Sequence, residues 1–206
     1  MDKKSYFITG IGTDVGKTVV SAIFAESLCA TYWKPVQAGD LDFSDTLKIK
    51  AYCSENVSFL LERYRLNTPA SPHLAAKLDG IEIQLSDFEL PQVDGNLLIE
   101  GAGGLLVPIN EKGLLYIDLI QHFNLPVILV SRHYLGSINH TLLSLEALKN
   151  RNINVEIIVF VGDENTATES IILTHYPNQK VIRIPLAEEV NSEFVRNQAT
   201  IIQNQF

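Results

Sequence analysis

The chain contains five short apolar runs separated by more polar sequence, at residues 6–9, 96–99, 126–130, 156–161 and 181–184. Each run is nearly continuous and rich in β-branched side chains, as is typical of parallel strands that are covered on both faces. All are far shorter than the roughly 20 residues that a membrane-spanning helix needs. We therefore predict a buried strand at each run and no membrane partner.

Helical spacing of apolar residues marks several of the segments between these runs. Within residues 137–149, Ile138, Leu142 and Leu145 fall on one side of a helix, as in an amphipathic helix packed against a sheet. The same spacing is found at residues 16–30 and 114–123, and less clearly at residues 44–53 and 71–79. Residues 191–206 are polar with scattered apolar positions, so a final helix and a loose tail are equally compatible with the sequence.

The alternation of strands and helices predicts an α/β fold. Right-handed crossovers between parallel strands give a doubly wound, mostly parallel sheet with helices on both faces. The length suits one domain with a full core, and no internal repeat is visible, so we expect a single domain over residues 1–206. Ligands in such sheets bind at the carboxyl ends of the strands.

Composition narrows the possible partners. The 46% apolar and 19% charged residues are typical of a soluble globular protein. The net charge of −8, without any block of lysine or arginine, argues against nucleic acid as a partner. Because the first strand follows Met1 so closely, we expect no signal peptide and a cytoplasmic protein. Cys29 and Cys53 show no metal-ligand spacing and are predicted to be buried thiols.

The first strand runs into a glycine-rich turn, residues 10–18, that reads GIGTDVGKT and opens a helix. This is the pattern of a phosphate-binding loop, whose backbone N–H groups and helix N-terminus surround phosphate oxygens. Lys17 would place its charge on the β- and γ-phosphates, and the Thr18 hydroxyl would bind Mg²⁺. Gly10 and Gly16 are six positions apart, one more than in the consensus. The turn therefore predicts a lengthened loop that binds a nucleoside triphosphate.

A second apolar strand leads into Glu100. This arrangement resembles the acidic strand of nucleotide-hydrolysing proteins, in which the carboxylate holds Mg²⁺. The glycines that follow would allow a ligand to approach the backbone closely. The structural alternative is an ordinary acidic strand end before a flexible turn. With a phosphate-binding loop in the same chain, the metal-binding interpretation is favoured.

Three further positions have structural and functional interpretations. Lys34, before a short apolar segment, is also compatible with a solvated cation at a strand end. Asp45 is also compatible with an acid that stabilises the dipole at a helix N-terminus. Residues 135–140 begin a helix whose free N–H groups could bind a carboxylate, and Ser137 could equally be a plain N-cap. Spacing alone assigns none of these a ligand role.

Taken in chain order, these segments resemble the dethiobiotin synthetases of the biotin pathway. The segments that carry the resemblance are residues 10–18, Lys34-Pro35-Val36, Ser44-Asp45, Ser71-Pro72-His73, Glu100-Gly101-Ala102-Gly103-Gly104, residues 126–130, Leu135-Gly136, Ile138-Asn139-His140 and residues 184–188. The Glu-Gly-Ala-Gly-Gly and Ile-Asn-His segments discriminate better than the phosphate loop, which many families share. The additional loop residue is a feature of this family.

The resemblance implies an ATP- and Mg²⁺-dependent ligase on a fold of the phosphate-loop nucleoside triphosphate hydrolase type. Its substrates would be 7,8-diaminononanoate, CO₂ and ATP. One amine would capture CO₂ as a carbamate, the carbamate would take the γ-phosphoryl group, and the second amine would close the ureido ring, releasing ADP and phosphate. The family is dimeric, with the substrate site at the subunit interface.

The resemblance also assigns roles to residues. Lys34, Lys17 and Thr13 would act in catalysis, and Thr18, Asp45 and Glu100 would hold the metal. The diamine would contact Thr13, Lys34, Ala38, Gly136, Ser137, Ile138 and Asn139. The nucleotide would contact Gly12, Thr13, Asp14, Val15, Gly16, Lys17, Thr18, Asp45, Glu100, Gly101, Ala102, Gly103, Gly162, Asp163, Pro185 and Leu186.

Three positions depart from the family pattern. Ala38 stands where serine or threonine is frequent, which removes one hydroxyl contact to the substrate. Asp14 stands where glutamate is frequent, which shortens the reach of the acid. Gly162 precedes Asp163 where the family commonly has asparagine to read the adenine edge. Since loss of such a contact reduces discrimination by about 1–3 kcal/mol, we expect weaker selection of ATP over other triphosphates.

Two other protein classes share parts of this pattern. Partitioning-type nucleotide-switch ATPases carry a signature lysine five residues before the lysine of Gly-Lys-Thr, and this chain has Gly12 there. A nicotinamide dehydrogenase would need an acidic residue at the end of the second strand for the ribose, and residues 32–37 contain none. Both alternatives are less compatible with the sequence than the ligase.

Overall fold

The computed structural model describes residues 3–205. The strands are β1 (Ser5–Gly10), β2 (Thr31–Trp33), β3 (Val36–Ala38), β4 (Ser58–Phe59), β5 (Tyr64–Leu66), β6 (Leu97–Gly104), β7 (Val127–Arg132), β8 (Val155–Val161) and β9 (Lys180–Ile184). The α-helices are α1 (Lys17–Leu28), α2 (Asp45–Tyr52), α3 (Pro72–Leu78), α4 (Tyr116–Phe123), α5 (Ser137–Asn150), α6 (Thr166–His175) and α7 (Ser192–Gln203). Each of the five apolar runs coincides with a strand, as predicted, except that residues 96 and 126 directly precede β6 and β7.

Seven strands form one sheet in the order β4-β2-β6-β1-β7-β8-β9, and every pairing in it is parallel. Strand β1 lies near the middle, where Phe7 pairs with Ile99 of β6 on one side and with Val127 of β7 on the other. Strands β3 and β5 form a separate parallel pair. The predicted doubly wound α/β fold is confirmed.

Alternate residues of the central strands face two separate cores, because successive side chains of a strand point to opposite faces. Phe7 and Leu129 face the core that helices α3, α4, α5 and α6 cover. Ile8 and Ile128 face the core that α1, α2 and α7 cover. Both faces of the sheet are therefore buried, which explains why the strand sequences are continuously apolar.

The C-terminal segment forms a helix. The Asn191 side chain caps α7 by accepting a 3.0 Å hydrogen bond from the Phe194 N–H, and Val195 and Ile202 are fully buried against the second core. The sequence left both a final helix and a loose tail open for residues 191–206, and the structure shows the helix. Residue 206 lies outside the described residues.

Strand β6 continues through Gly101 to Gly104, so the segment after Glu100 belongs to the strand and is not the flexible turn of the structural alternative, although Gly103 has a left-handed φ of 64°. The prediction that both cysteines are buried is wrong. Cys29 is exposed; it is the C-cap residue of α1 and has a left-handed φ of 47°. Cys53 is only half-buried, although its burial raises the pKa of the thiol to about 12.

None of the helices between residues 3 and 205 is long and apolar enough to cross a bilayer.

Candidate active site

The phosphate loop lies between β1 and α1, where the sequence predicted it. Gly16 caps the helix with φ of 95°, and Asp14 also has a left-handed φ of 57°. The Ile11 N–H donates to the Val130 carbonyl at 3.0 Å, which fixes the start of the loop to β7. The N–H groups at the start of α1 are free of intrahelical partners, so this turn has the chemistry of an anion site.

Lys17 is buried within the loop. Its ammonium donates a 2.7 Å hydrogen bond to the Gly12 carbonyl, and the residue is 8% exposed. Burial lowers the pKa of Lys17 to about 8, an effect that the negative charge of Glu100 opposes without cancelling. The ammonium is thus held in an environment with little water, where its charge acts strongly on a neighbouring anion.

A second buried lysine, Lys34, lies between β2 and β3 and joins two carboxylates. Its ammonium forms an ion pair with Asp45 and lies 3.3 Å from Glu100 Oε1. The side chains of Lys34 and Glu100 are 5% and 1% exposed. Burial alone would lower the pKa of Lys34, but the two carboxylates outweigh it and raise the pKa above its ordinary value. Burial likewise opposes the ionised form of Asp45, yet Lys34 holds its pKa below the ordinary value.

Two hydroxyl groups complete the surroundings of Glu100. The Thr18 hydroxyl donates to Glu100 Oε1 at 3.3 Å, and the Tyr32 hydroxyl donates to Oε2 at 3.0 Å. Sequence reasoning missed Tyr32, because a tyrosine in a buried strand has the same pattern as a core aromatic residue. Together, these bonds fix the orientation of the Glu100 carboxylate.

The oxygen atoms of this cluster suit a hard divalent cation. Thr18, Asp45 and Glu100 provide one hydroxyl and two carboxylates, and Mg²⁺ binds through a few such oxygens while keeping several waters. Within residues 3–205 no group of three or more His, Cys, Asp or Glu side chains is arranged to hold a metal. The predicted set therefore fits Mg²⁺ with water and phosphate ligands and does not fit a cage formed by protein side chains alone.

The start of α2 positions Asp45. Ser44 caps the helix because its hydroxyl accepts a 3.3 Å hydrogen bond from the Leu47 N–H. The side-chain oxygen Oε1 of Gln37 accepts one of the same length from the Asp45 N–H. Gln37 also donates to the Gly39 carbonyl at 2.9 Å and is 6% exposed. Gln37 is a second residue that the sequence analysis missed, since no spacing linked it to Asp45.

These groups surround one cavity of about 400 Å³. Of the predicted residues, those that line it are Thr13, Asp14, Gly16, Lys17, Thr18, Lys34, Ala38, Asp45, Glu100, Ala102 and Gly103. The structure thus brings together most residues assigned to the phosphates and the metal, and three of the seven assigned to the diamine, namely Thr13, Lys34 and Ala38. Its other lining residues include Lys48 and Ala70, which the sequence analysis did not select.

The residues predicted to contact the base lie next to the loop but outside this cavity. Gly162 directly follows β8, has φ of 120°, and donates its N–H to the Ile184 carbonyl at 3.0 Å. A Cβ atom on Gly16 would lie 3.4 Å from the Val161 side chain, so the end of β8 adjoins the end of the phosphate loop. Asp163, Pro185 and Leu186 are exposed at the same edge of the sheet.

A buried carboxylate holds this edge together. Glu169, which is 2% exposed, accepts hydrogen bonds from Arg183 Nε at 2.7 Å and from the Asn165 N–H at 3.3 Å, and lies 3.1 Å from His133 Nε2. Burial would raise the pKa of Glu169, but these bonds, led by that of Arg183, lower it. Glu169 therefore connects the ends of β7, β8 and β9, and the sequence offered no signal for it.

Helix α5 begins on a different part of the surface. Gly136 is its N-cap residue, with φ of 105°, so the prediction that Ser137 could be the N-cap is wrong; Ser137 is the first helical residue and is buried. Ile138 is half-buried, and Gly136 and Asn139 are exposed. None of the four lines the cavity around Lys34 in the described part of the chain.

An apolar face adjoins the start of α5. Leu135, Leu106 and Leu143 are 104%, 62% and 60% exposed. Next to them lies a groove of about 340 Å³ lined by Ile11, Gly12, Gly104, Leu105, Leu106, Val107, His140, Leu143, Ser144 and Ala147. Val107 lines both this groove and the cavity around Lys34. The apolar face is thus continuous with the rim of the candidate active site.

Comparison with solved structures supports the fold. The chain is similar to a ParA family ATPase from Chlorobium tepidum, with a TM-score of 0.53 and 14% identity, over 98% of this chain and 93% of that one. It is also similar to a putative plasmid partition protein from Borrelia burgdorferi bound to AMPPNP, with a TM-score of 0.57 and 10% identity, over 100% and 99%. At such low identity the likeness shows the fold alone.

Sequence comparison shows the family. A family model described as an AAA domain matches residues 4–193. Proteins named ATP-dependent dethiobiotin synthetase BioD are 59% identical in Christiangramia forsetii, over 82% of this chain and 81% of the relative, and 48% identical in Cytophaga hutchinsonii, over 93% of each. A relative of that name from Rhodopseudomonas palustris strain BisB18 is 49% identical over 86% and 85%. The chain belongs to the family of ATP-dependent dethiobiotin synthetases.

Proposed function

We propose that this protein is an ATP-dependent ligase of biotin synthesis that forms the ureido ring of dethiobiotin from 7,8-diaminononanoate and CO₂. The observation that carries the proposal is one cavity shared by the phosphate loop, Lys34, Asp45 and Glu100. A nucleotide switch needs the loop and an acid, whereas a buried lysine in the same cavity offers a charge to a second reacting anion.

The proposed chemistry runs through a carbamate. One amine of the substrate attacks CO₂ and loses a proton, and a carbamate oxygen then attacks the γ-phosphorus as ADP leaves. The second amine attacks the carbonyl carbon of the mixed anhydride and loses a proton, phosphate departs, and the ring closes. Every step gathers negative charge on oxygen, which fixed cationic groups in a buried site stabilise.

The side chains divide this work by position. Lys17, at the start of α1, stabilises the charge of the triphosphate, and Lys34 stabilises the oxygens of the carbamate and the transferring phosphoryl group. Mg²⁺ bound by Thr18, Asp45 and Glu100 would neutralise further charge on the phosphates. Thr13 and Ala38 line the same cavity and contact the diamine. Ala38 has no hydroxyl to offer the substrate.

The apolar face supports a homodimer whose site is completed by the partner. Exposed apolar side chains that share one groove are typical of an interaction surface. Leu106 and Leu143 line the same groove, and both are more than half exposed, as is Leu135 just before α5. A second copy of this chain on that face would bring its own α5 N-terminus to the rim of the cavity. Gly136 to Asn139 of one copy would then bind the substrate carboxylate in the other.

The test of the activity is product formation. With diaminononanoate, bicarbonate and MgATP, the purified chain is expected to produce dethiobiotin and ADP in equal amounts. Lys34→Gln is expected to lower kcat about 10²–10³-fold, because a charged group that stabilises the transition state is lost, while nucleotide binding by calorimetry is retained. Slow ATP hydrolysis that the diamine does not affect would contradict the proposal and indicate a nucleotide-switch ATPase.

The dimer has its own test. Light scattering is expected to give twice the 22.9 kDa chain mass for the wild type and the single mass for Leu143→Glu. Leu61→Glu is the matched control, since Leu61 is 87% exposed but lies outside the groove. A monomeric wild type with full activity would exclude the interface site.

A further inference from the structure

Lys34 makes its contacts with the same oxygens that the proposed metal site uses. Its ammonium pairs with Asp45 Oδ2 and lies 3.3 Å from Glu100 Oε1. The Thr18 hydroxyl, the third predicted ligand, donates to that same Glu100 oxygen at 3.3 Å. The ammonium thus stands among the three groups that would surround a divalent cation.

The charges do not allow both cations to keep this position. Asp45 and Glu100 bring two negative charges into a site where Lys34 and Glu100 are at most 5% exposed. Lys34 offsets one of them. A divalent cation in contact with the same oxygens would lie within a few ångströms of the ammonium, where two positive charges with little intervening water repel strongly.

We propose that Lys34 and the divalent cation occupy the space between Asp45 and Glu100 alternately. Lys34 leaves the carboxylates when the cation binds, and its ammonium then becomes available to the oxygens of the carbamate and the γ-phosphoryl group. Before that, it lies between the carboxylates of Asp45 and Glu100 and neutralises one of their two negative charges. This inference rests on the metal site of the proposed function. It adds that Lys34 pairs with the carboxylates first and that the divalent cation then takes its place.

Lys48 provides an internal comparison. Its ammonium lies 3.7 Å from Asp45 Oδ1, the other oxygen of the same carboxylate, and its side chain is 28% exposed. Among the ion pairs of residues 3–205, Lys48 pairs with Asp45 alone, whereas Lys34 pairs with both carboxylates. Removal of either lysine deletes one positive charge near Asp45, but only Lys34 stands between the two acids.

The experiment measures binding of Mn²⁺ alone, without nucleotide or diamine, by electron paramagnetic resonance and calorimetry. Lys34→Met is expected to bind Mn²⁺ about tenfold or more tightly than the wild type, because a competing cation is gone. Lys48→Met is expected to change the affinity by less than about threefold, as for a partly exposed pair. Mn²⁺ is also expected to raise the melting temperature of Lys34→Met more than that of the wild type.

A second measurement uses the wild type and does not depend on the folding of a variant. Acetylation by an N-hydroxysuccinimide ester, followed by mass spectrometry, reports the accessibility of individual lysines. Saturating Mg²⁺ or Mn²⁺ is expected to increase labelling of Lys34 several-fold relative to Lys48 in the same sample. Unchanged labelling would overturn the exchange.

The outcomes separate this inference from the proposed function. Equal Mn²⁺ affinity in the wild type, Lys34→Met and Lys48→Met would overturn the alternation and leave the metal site standing. Absence of Mn²⁺ binding in all three, even with ATP present, would overturn both the alternation and the metal site. Formation of dethiobiotin by the wild type is measured separately and bears only on the proposed function.

Discussion

The two ends of the nucleotide site are built in different ways. At the phosphate end, Lys17, Lys34 and Glu100 are nearly inaccessible to solvent. Lys34 lies 3.3 Å from Glu100, and Lys17 donates to the Gly12 carbonyl at 2.7 Å. At the base end, Gly162 presents backbone only and Asp163 is exposed. Under the proposed function, the difference predicts that buried charges fix the reacting groups and that recognition of the base falls to main-chain atoms and solvent-facing residues.

The two buried lysines of the phosphate end have pKa values shifted in opposite directions. Burial acts on both, yet the pKa of Lys17 falls to about 8 while that of Lys34 rises. The difference arises because Lys34 touches two carboxylates, whereas Lys17 bonds only to a backbone carbonyl. The charge of Lys17 is therefore the one that is available to an incoming phosphate.

The largest expected effect tests whether the phosphate end depends on its buried charges. Glu100→Gln leaves Lys34 with Asp45 alone, and we expect the free energy of unfolding to fall by about 3 kcal/mol, as when one partner of a buried ion pair is removed. Urea denaturation measures this change. Lys112→Met, which breaks the exposed pair with Glu82, is the control and should change stability by less than about 1 kcal/mol.

The next effect tests the openness of the base end. We expect kcat/KM for ATP to exceed that for GTP or CTP by less than about a hundredfold, because no side chain at Gly162 rejects the wrong base. Initial rates with each triphosphate at fixed diamine give the ratios. A preference for ATP above that factor would show that main-chain atoms or neighbouring loops read the base strictly.

A third prediction, with a smaller expected effect, also concerns Gly162 at the base end. Gly162→Asn restores the side chain that the family commonly has, but Gly162 has φ of 120°, which residues with a Cβ rarely adopt. We expect a loss of about 1–2 kcal/mol in unfolding free energy and no gain in selection of ATP. Asp163→Asn, next in the chain, is the control without this strain. A selective and stable Gly162→Asn protein would contradict this explanation.

The smallest effect lies in the diamine pocket. Ala38→Ser adds the hydroxyl that is frequent in the family, and one new hydrogen bond contributes about 1 kcal/mol. We expect KM for the diamine to fall about threefold to fivefold while KM for ATP is unchanged. Ala70→Ser, at another position in the cavity wall, serves as the control. An unchanged KM in both variants would place the diamine away from Ala38.

The sequence predicted those features that depend on residues close together in the chain. Continuous apolar runs predicted five of the seven strands of the large sheet, because a strand buried on both faces has no polar positions to interrupt the pattern. Strands β2, β3, β4 and β5 escaped prediction because strands of two or three residues leave no periodicity. Cys29 was misplaced because the left-handed turn at the end of α1 depends on the chain beyond the helix.

The candidate site was predictable in part. The phosphate loop is a contiguous motif, and Glu100 was assigned to the metal from its place at the end of an apolar strand in a chain with such a loop. Lys34 and Asp45 were assigned catalytic and metal roles only through the family resemblance. Contacts such as Tyr32 with Glu100, 68 positions apart, or Glu169 with His133, 36 apart, join residues through the crossing of elements. Contacts of this kind leave no spacing pattern that could be recognised in a single sequence.

The position of Glu100 within β6 has a consequence for how the site adapts. That strand pairs with β1 on one side and β2 on the other, so its amides are expected to be among the slowest to exchange with deuterium. Lys34 lies between strands, and Asp45 lies in the first turn of a short helix. Any adjustment to successive ligands must therefore come from these two, with Glu100 as the fixed point against which they move.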